Sequence, residues 1–170
     1  KWNRKIHIYL GLYMLLFLWI FSISGLFLNH PDWFKHQPDR SPTEQTVQMP
    51  EADSKTEKAR ALMQQLNLTG EILFQRQQKP GRFIFVAMRP HKRVFVNVDL
   101  QTNVAKLNTV KAQFTATLGI LHTFSGVRPI WREAEPQRDW LPTQIWSFSM
   151  DALCFGLVFM VASSLYVAFQ

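Results

Sequence analysis

Few side chains in this sequence can do chemistry, and they cluster at the ends of apolar runs. Five histidines (His7, His30, His36, His91 and His122), a single cysteine (Cys154) and one acid inside an apolar segment (Asp151) make up the set. A neutral imidazole can shuttle a proton, hydrogen-bond to backbone or headgroups, or ligate a metal through one ring nitrogen. His7, His30 and His122 border apolar segments, whereas His36 sits in a proline-rich stretch and His91 in a turn, so those two are read as solvated. One cysteine excludes a disulfide framework, a cysteine-ligated zinc site and a CxxCH haem attachment. Within an apolar helix Cys154 is an inert small hydrophobe, and Met14, Met150 and Met160 are lipid-facing or packing residues. Asp151 is expected to form a structural ion pair with Arg128 or Arg132, because the sequence offers no companion carboxylate for a proton relay.

The elements that must position these groups are set by an uneven distribution of charge. The 170 residues are 47% hydrophobic and 14% aromatic with a formal charge of +7, which excludes a disordered chain. Ile6 to Leu28 contains no Asp, Glu, Lys or Arg, and at about 1.5 Å per residue such a run reaches roughly 35 Å, enough to cross a bilayer core. It closes on Leu28-Asn29-His30-Pro31 rather than on the small-residue cleavage site of a signal peptide. Ala152 to Phe169 is a second uncharged run, whose helix is predicted to begin near Pro142-Thr143 with Trp140 and Trp146 at the interface. Lys1, Arg4 and Lys5 before the first span predict a cytoplasmic N-terminus and an extracytoplasmic middle. The remaining positive charges are scattered among acids without a nucleic-acid motif. They describe a solvated, headgroup-facing surface with membrane lipids as neighbours and no nucleic-acid partner.

The reading divides the chain into a first span over 1–29, a linker over 30–51, an α+β module over 52–109, an amphipathic helix and connection over 110–141, and a second span over 142–170. From His36 to Glu51, Pro38, Pro42, Pro50 and polar residues leave no apolar period. Ser54-Lys55-Thr56-Glu57 is a capping box ahead of Ala59, Leu62, Met63 and Leu66 at helical spacing. Strands are predicted over 71–77, 82–88 and 93–98, separated by Pro- and Gly-bearing turns, with a short fourth over 103–107. Alternation of Val94, Val96 and Val98 with Phe95 and Asn97 suits a sheet covered on one face by that helix. Phe114, Thr117, Leu118 and Leu121 predict a further amphipathic helix over 111–124, near the membrane surface and carrying His122. The spans also share a pattern, Ser24-Gly25-Leu26-Phe27-Leu28 against Ser163-Ser164-Leu165-Tyr166-Val167, read as small residues where membrane helices touch.

Three segments resemble one family. Arg4-Lys5-Ile6-His7-Ile8-Tyr9-Leu10-Gly11, then Ser24-Gly25-Leu26-Phe27-Leu28-Asn29-His30, then Leu121-His122-Thr123 ahead of Asp151-Ala152-Leu153 and Ser164-Leu165-Tyr166 are similar to the PepSY-associated transmembrane helix proteins of bacterial inner membranes. The fold this implies is two transmembrane helices with an inserted PepSY-like α+β extracytoplasmic module. Some larger relatives are di-haem reductases of ferric siderophores, so the resemblance implies b-type haem held by histidines, with His7, His30 and His122 as the matching positions. His30 and His122 would serve one haem at the extracytoplasmic face, within one chain or across a dimer. His7, roughly 35 Å of helix from His30, would serve a second haem. Those relatives have at least four spanning helices and this chain has two, so a homodimer or another membrane subunit is needed to complete such a cage. An electron donor must come from outside, because no GxGxxG fingerprint is present. The competing expectation is a haem-free accessory subunit, with Gly25, Gly156, Ala162, Ser163 and Ser164 available for close helix packing.

Overall fold

A computed structural model describes residues 2–34, 37–78, 81–124, 126 and 138–168. Helix α1 (Trp2–Asn29) leads through a short 3-10 turn, Pro31–Phe34, to strand β1 (Asp39–Thr46). Helix α2 (Lys55–Gln65) and strands β2 (Glu71–Gln78), β3 (Arg82–Arg89), β4 (Lys92–Asp99) and β5 (Val104–Lys111) follow. Helices α3 (Phe114–Thr123) and α4 (Leu141–Ala168) complete the chain.

The sheet is antiparallel throughout, in the order β1-β5-β4-β3-β2. Its inward face pairs Phe83 with Val98, Phe85 with Val96 and Ala87 with Val94 across β3 and β4. Ala59, Leu62, Met63 and Leu66 of α2 cover that face. Burial of each phenylalanine contributes about 1.5–3 kcal/mol. Phe95, on the opposite face, is exposed. The Ser54 hydroxyl accepts from Glu57 N–H at 3.1 Å while the Glu57 carboxylate accepts from Ser54 N–H at 3.4 Å, so the capping box forms. Gly70, at φ +126°, makes the turn into β2 where a Cβ would stand 2.5 Å from the Met88 carbonyl oxygen.

The segment read as a linker over 30–51 differs, because Asp39–Thr46 is a fifth strand. Every side chain in it is exposed, so it carries no hydrophobic period; main-chain pairing with β5 and a cross-strand ion pair from Glu44 to Lys106 at 3.1 Å hold it. Pro42 is tolerated because β1 lies at the sheet edge. Val47, just beyond, returns to the core.

Helices α1 and α4 are both long and apolar enough to cross a membrane, with 11% and 17% of their most hydrophobic windows buried inside the protein. Leu12, Leu15, Leu16 and Trp19 on α1 and Phe155, Val158 and Val161 on α4 face outward. Such a surface suits lipid and not water. The chain is therefore two apolar helices flanking a small sheet module.

One stripe of α1, repeating at 7, 14, 21 and 28 with the small residues between, makes its helix contacts. Gly156 leaves a notch that the Met14 side chain fills so closely that a Cβ there would overlap its Cε. Met160 Cε stands 3.0 Å from where a Gly11 Cβ would lie. In the other half of α1 the partner is α3, with Leu28 seated on Gly119. Helix α3 begins at Phe114 rather than Lys111, which ends β5. It turns Gly119 and His122 toward α1 and leaves Phe114 exposed, because close approach of the backbones favours the side without bulk over the more apolar one.

The module is fastened to α4 by Glu71. Its carboxylate, buried at the start of β2, accepts from the backbone N–H of Trp140 at 2.8 Å and of Asp139 at 3.0 Å. A negative charge there also suits the positive end of the α4 dipole. Arg60 pairs with Asp139, and the Arg89 guanidinium lies 4.9 Å above the Trp140 ring.

Candidate functional site: two histidine–serine pairs

His122 projects from α3 into the α1 stripe. Its ring meets Phe21 edge-on at 5.0 Å, and its Cε1 lies 3.5 Å from where a Gly25 Cβ would stand. Its Nδ1 is 2.8 Å from Ser24 Oγ, a hydroxyl that is 1% exposed and also donates to the Phe21 carbonyl at 3.1 Å. His7 repeats the arrangement at the other end of α1. Its Nδ1 is 2.8 Å from Ser163 Oγ on α4, and that buried hydroxyl donates to the Met160 carbonyl at 3.1 Å. Both imidazoles are half-buried, and among the described residues neither Nε2 makes a hydrogen bond. Each pair thus holds one ring nitrogen and leaves the other without a hydrogen-bond partner among the described residues.

From position 7 to position 24 along α1 is roughly 25 Å at 1.5 Å per residue, so the two pairs form separate sites. His30 joins neither of them. At about 100° per residue it lies roughly 180° around α1 from Phe21, and its ring stacks on Trp33 at 4.0 Å and 8°. Among the described residues the ring contact of His30 is this one with Trp33, and that of His122 is with Phe21. Among the described residues no three His, Cys, Asp or Glu side chains converge as a metal site.

The remaining sequence-derived positions are dispersed. His91, in the β3–β4 turn, lines a cavity of about 280 Å³ with Pro90, Leu121, Phe124, Trp140 and Trp146. Asp151 is exposed on α4; Arg128 and Arg132, its expected partners, lie outside the described residues, as does His36. Cys154 is exposed, and Met14 is a packing residue against Gly156. Gly25 packs on His122, Gly156 and Ser163 face α1, and Ala162 and Ser164 are exposed. Sequence reasoning missed Ser24 and Ser163 as histidine partners and Glu71 as the clasp on α4. The signal for the serines was there, in the Ser24-Gly25-Leu26 and Ser163-Ser164-Leu165 parallel. No local pattern distinguishes Glu71 from a solvated strand end.

The PepSY_TM-like family model matches residues 1–131, from α1 through the whole sheet and α3. The chain belongs to the PepSY_TM-like family. No curated protein and no solved structure matches it. In this PepSY_TM-like protein the matched stretch contains His7, Ser24, His30 and His122, while Ser163, on α4, lies beyond it.

Proposed function

We propose that this membrane PepSY protein is a b-haem-binding electron-transfer component of a bacterial inner membrane, with its N-terminus cytoplasmic and its sheet module periplasmic. The observation that carries this reading is the pair of histidines near opposite ends of the apolar helices, each held through Nδ1 and open at Nε2. Haem iron is commonly held by neutral imidazole, and if it is bound here His122 would hold it at one end and His7 at the other. Haem, when bound, supplies one-electron chemistry. The chain's own part is to hold His122 against Ser24, Phe21 and Gly25, to hold His7 against Ser163, and to keep water away with the apolar faces of α1, α3 and α4. The second axial position at each end must be filled from a second copy or another subunit. His30, on the outward side of α1, is available for that role at the periplasmic end. An external electron donor completes the system, and membrane lipids surround it.

The accessory-subunit reading has one observation in its favour. Asp151 is an exposed carboxylate on a helix that otherwise suits lipid, and such a group calls for a protein partner. In that reading α4 clamps a larger complex through Asp151 and needs no haem.

Reduced and oxidised absorption spectra of the purified protein, after growth with ample haem, separate the two readings. A Soret band is expected, diminished or shifted by His122→Ala, His7→Ala and His30→Ala and unchanged by His91→Ala. Absence of the band sinks the haem reading, and stoichiometric recovery of a partner in mild detergent then favours the accessory one. Orientation is checked in a Cys154→Ala background carrying Gln101→Cys, which a membrane-impermeant thiol reagent should label from the periplasmic side.

A further inference from the structure

We infer that Ser24 and Ser163 are paired positioning residues that lock His122 and His7 in the Nδ1–H tautomer, so that each Nε2 carries the unprotonated lone pair. The inference deepens the proposed haem reading by naming what sets the ligating atom. It does not need haem to be tested.

The argument is a count of protons. A serine hydroxyl has one hydrogen to donate and two lone pairs with which to accept. Ser24 Oγ lies 3.1 Å from the Phe21 carbonyl oxygen and 2.8 Å from His122 Nδ1. In the first of these contacts the serine is the donor, because a carbonyl oxygen can only accept. The only hydrogen available is the serine's own. The hydrogen in the 2.8 Å contact must then come from the ring, so Nδ1 is protonated and Nε2 in the neutral imidazole is bare.

The same count applies at Ser163, whose Oγ lies 2.8 Å from His7 Nδ1 and donates at 3.1 Å to the Met160 carbonyl, an oxygen that also accepts from Ser164 Oγ at 2.8 Å. In both cases the serine bonds the carbonyl three residues before it, a backbone acceptor that helix geometry supplies. Neither serine has room to turn toward water, because Ser24 is 1% and Ser163 6% exposed. The two copies of the device sit on different helices and reach in opposite chain directions. A ligating histidine elsewhere in metalloproteins is oriented in this way by a partner on its second nitrogen. The Ser-Gly-Leu and Ser-Ser-Leu parallel between the spans thereby acquires a role beyond close packing.

The test is ¹⁵N NMR of histidine-labelled full-length protein in lipid nanodiscs without added haem, at about pH 8.5, where an ordinary imidazole is neutral. The unsubstituted protein should show His122 and His7 as Nδ1–H tautomers. Ser24→Ala, which keeps the shape of the site, should lower the Nδ1–H to Nε2–H ratio of His122 on the order of five-fold, the worth of one hydrogen bond, and leave His7 unchanged. Ser163→Ala should do the converse, and Ser24→Thr, which keeps the hydroxyl, should restore His122. An Nε2–H tautomer in the unsubstituted protein, or ratios indifferent to both alanine variants, overturns the inference. In protein purified with haem, each alanine variant should weaken haem retention at its own end by about 10–100-fold, the usual range for losing such a partner. If no haem is found and the tautomers still respond, the haem reading fails while the positioning role stands.

Discussion

The sheet module and the helix pair have opposite interiors. In the module the fully buried side chains are apolar apart from Glu71 at its edge, with Phe83, Phe85, Val96 and Val98 against α2. Among the spanning helices the buried residues include Ser24, Thr143, Ser147 and Ser163, while Leu, Phe and Trp side chains point outward. Water around the module makes hydrophobic burial the dominant stabilising term. Lipid, which the outward faces of α1 and α4 suit, offers no such gain, and these helices meet instead by close contact over Gly156 and Gly11 and by hydrogen bonds from the buried Ser24 and Ser163 hydroxyls. The polar groups that could do chemistry are accordingly inside the helix pair and outside the module.

The contrast is most easily broken in the module. Phe85→Ala should cost about 3–5 kcal/mol by opening a cavity in a core that cannot fully collapse, read as earlier loss of amide-exchange protection in β3 and β4 while α1 and α4 keep theirs. Equal loss in the helices would mean that the two regions share one core. Next in size, Gly156→Leu should cost about 2–3 kcal/mol by driving a side chain into Met14. In a Cys154→Ala background, disulfide cross-linking between Gly11→Cys and Met160→Cys should then fall sharply with the module's exchange pattern unchanged; undiminished cross-linking would show that the notch is not what joins the helices. Smallest is Glu71→Ala, which leaves the Asp139 and Trp140 N–H groups without their carboxylate at about 1–2 kcal/mol. It should speed proteolysis near 138–140 and leave β3 to β5 protected, because the clasp joins the regions without stabilising either one alone.

Much of the fold was legible because its signals are local. Hydropathy and length mark α1 and α4, the Ser54–Glu57 box marks α2, and period-two alternation with Pro and Gly turns marks β2 to β5. Strand β1 was not legible, since Asp39 to Thr46 has no buried face and exists only because β5 offers it a free edge. Which side of α3 meets α1 was not legible either. Phe114 and Leu121 dominate an apolar count, but Gly119 decides how closely α1 can approach.

The sites divide along the same line. Which residues could ligate, and which end of a helix each occupies, follows from residue type and spacing, so His7, His30 and His122 are candidates from the sequence alone. That His30 stacks on Trp33, that Ser24 and Ser163 each hold a ring nitrogen, and that Glu71 clasps α4 were decided only by tertiary structure. The partners in the two pairs are 98 and 156 positions apart, a separation at which no periodicity connects them. Their meeting depends on how three helices pack, and packing is settled by side-chain volume at contacts that a linear sequence does not display.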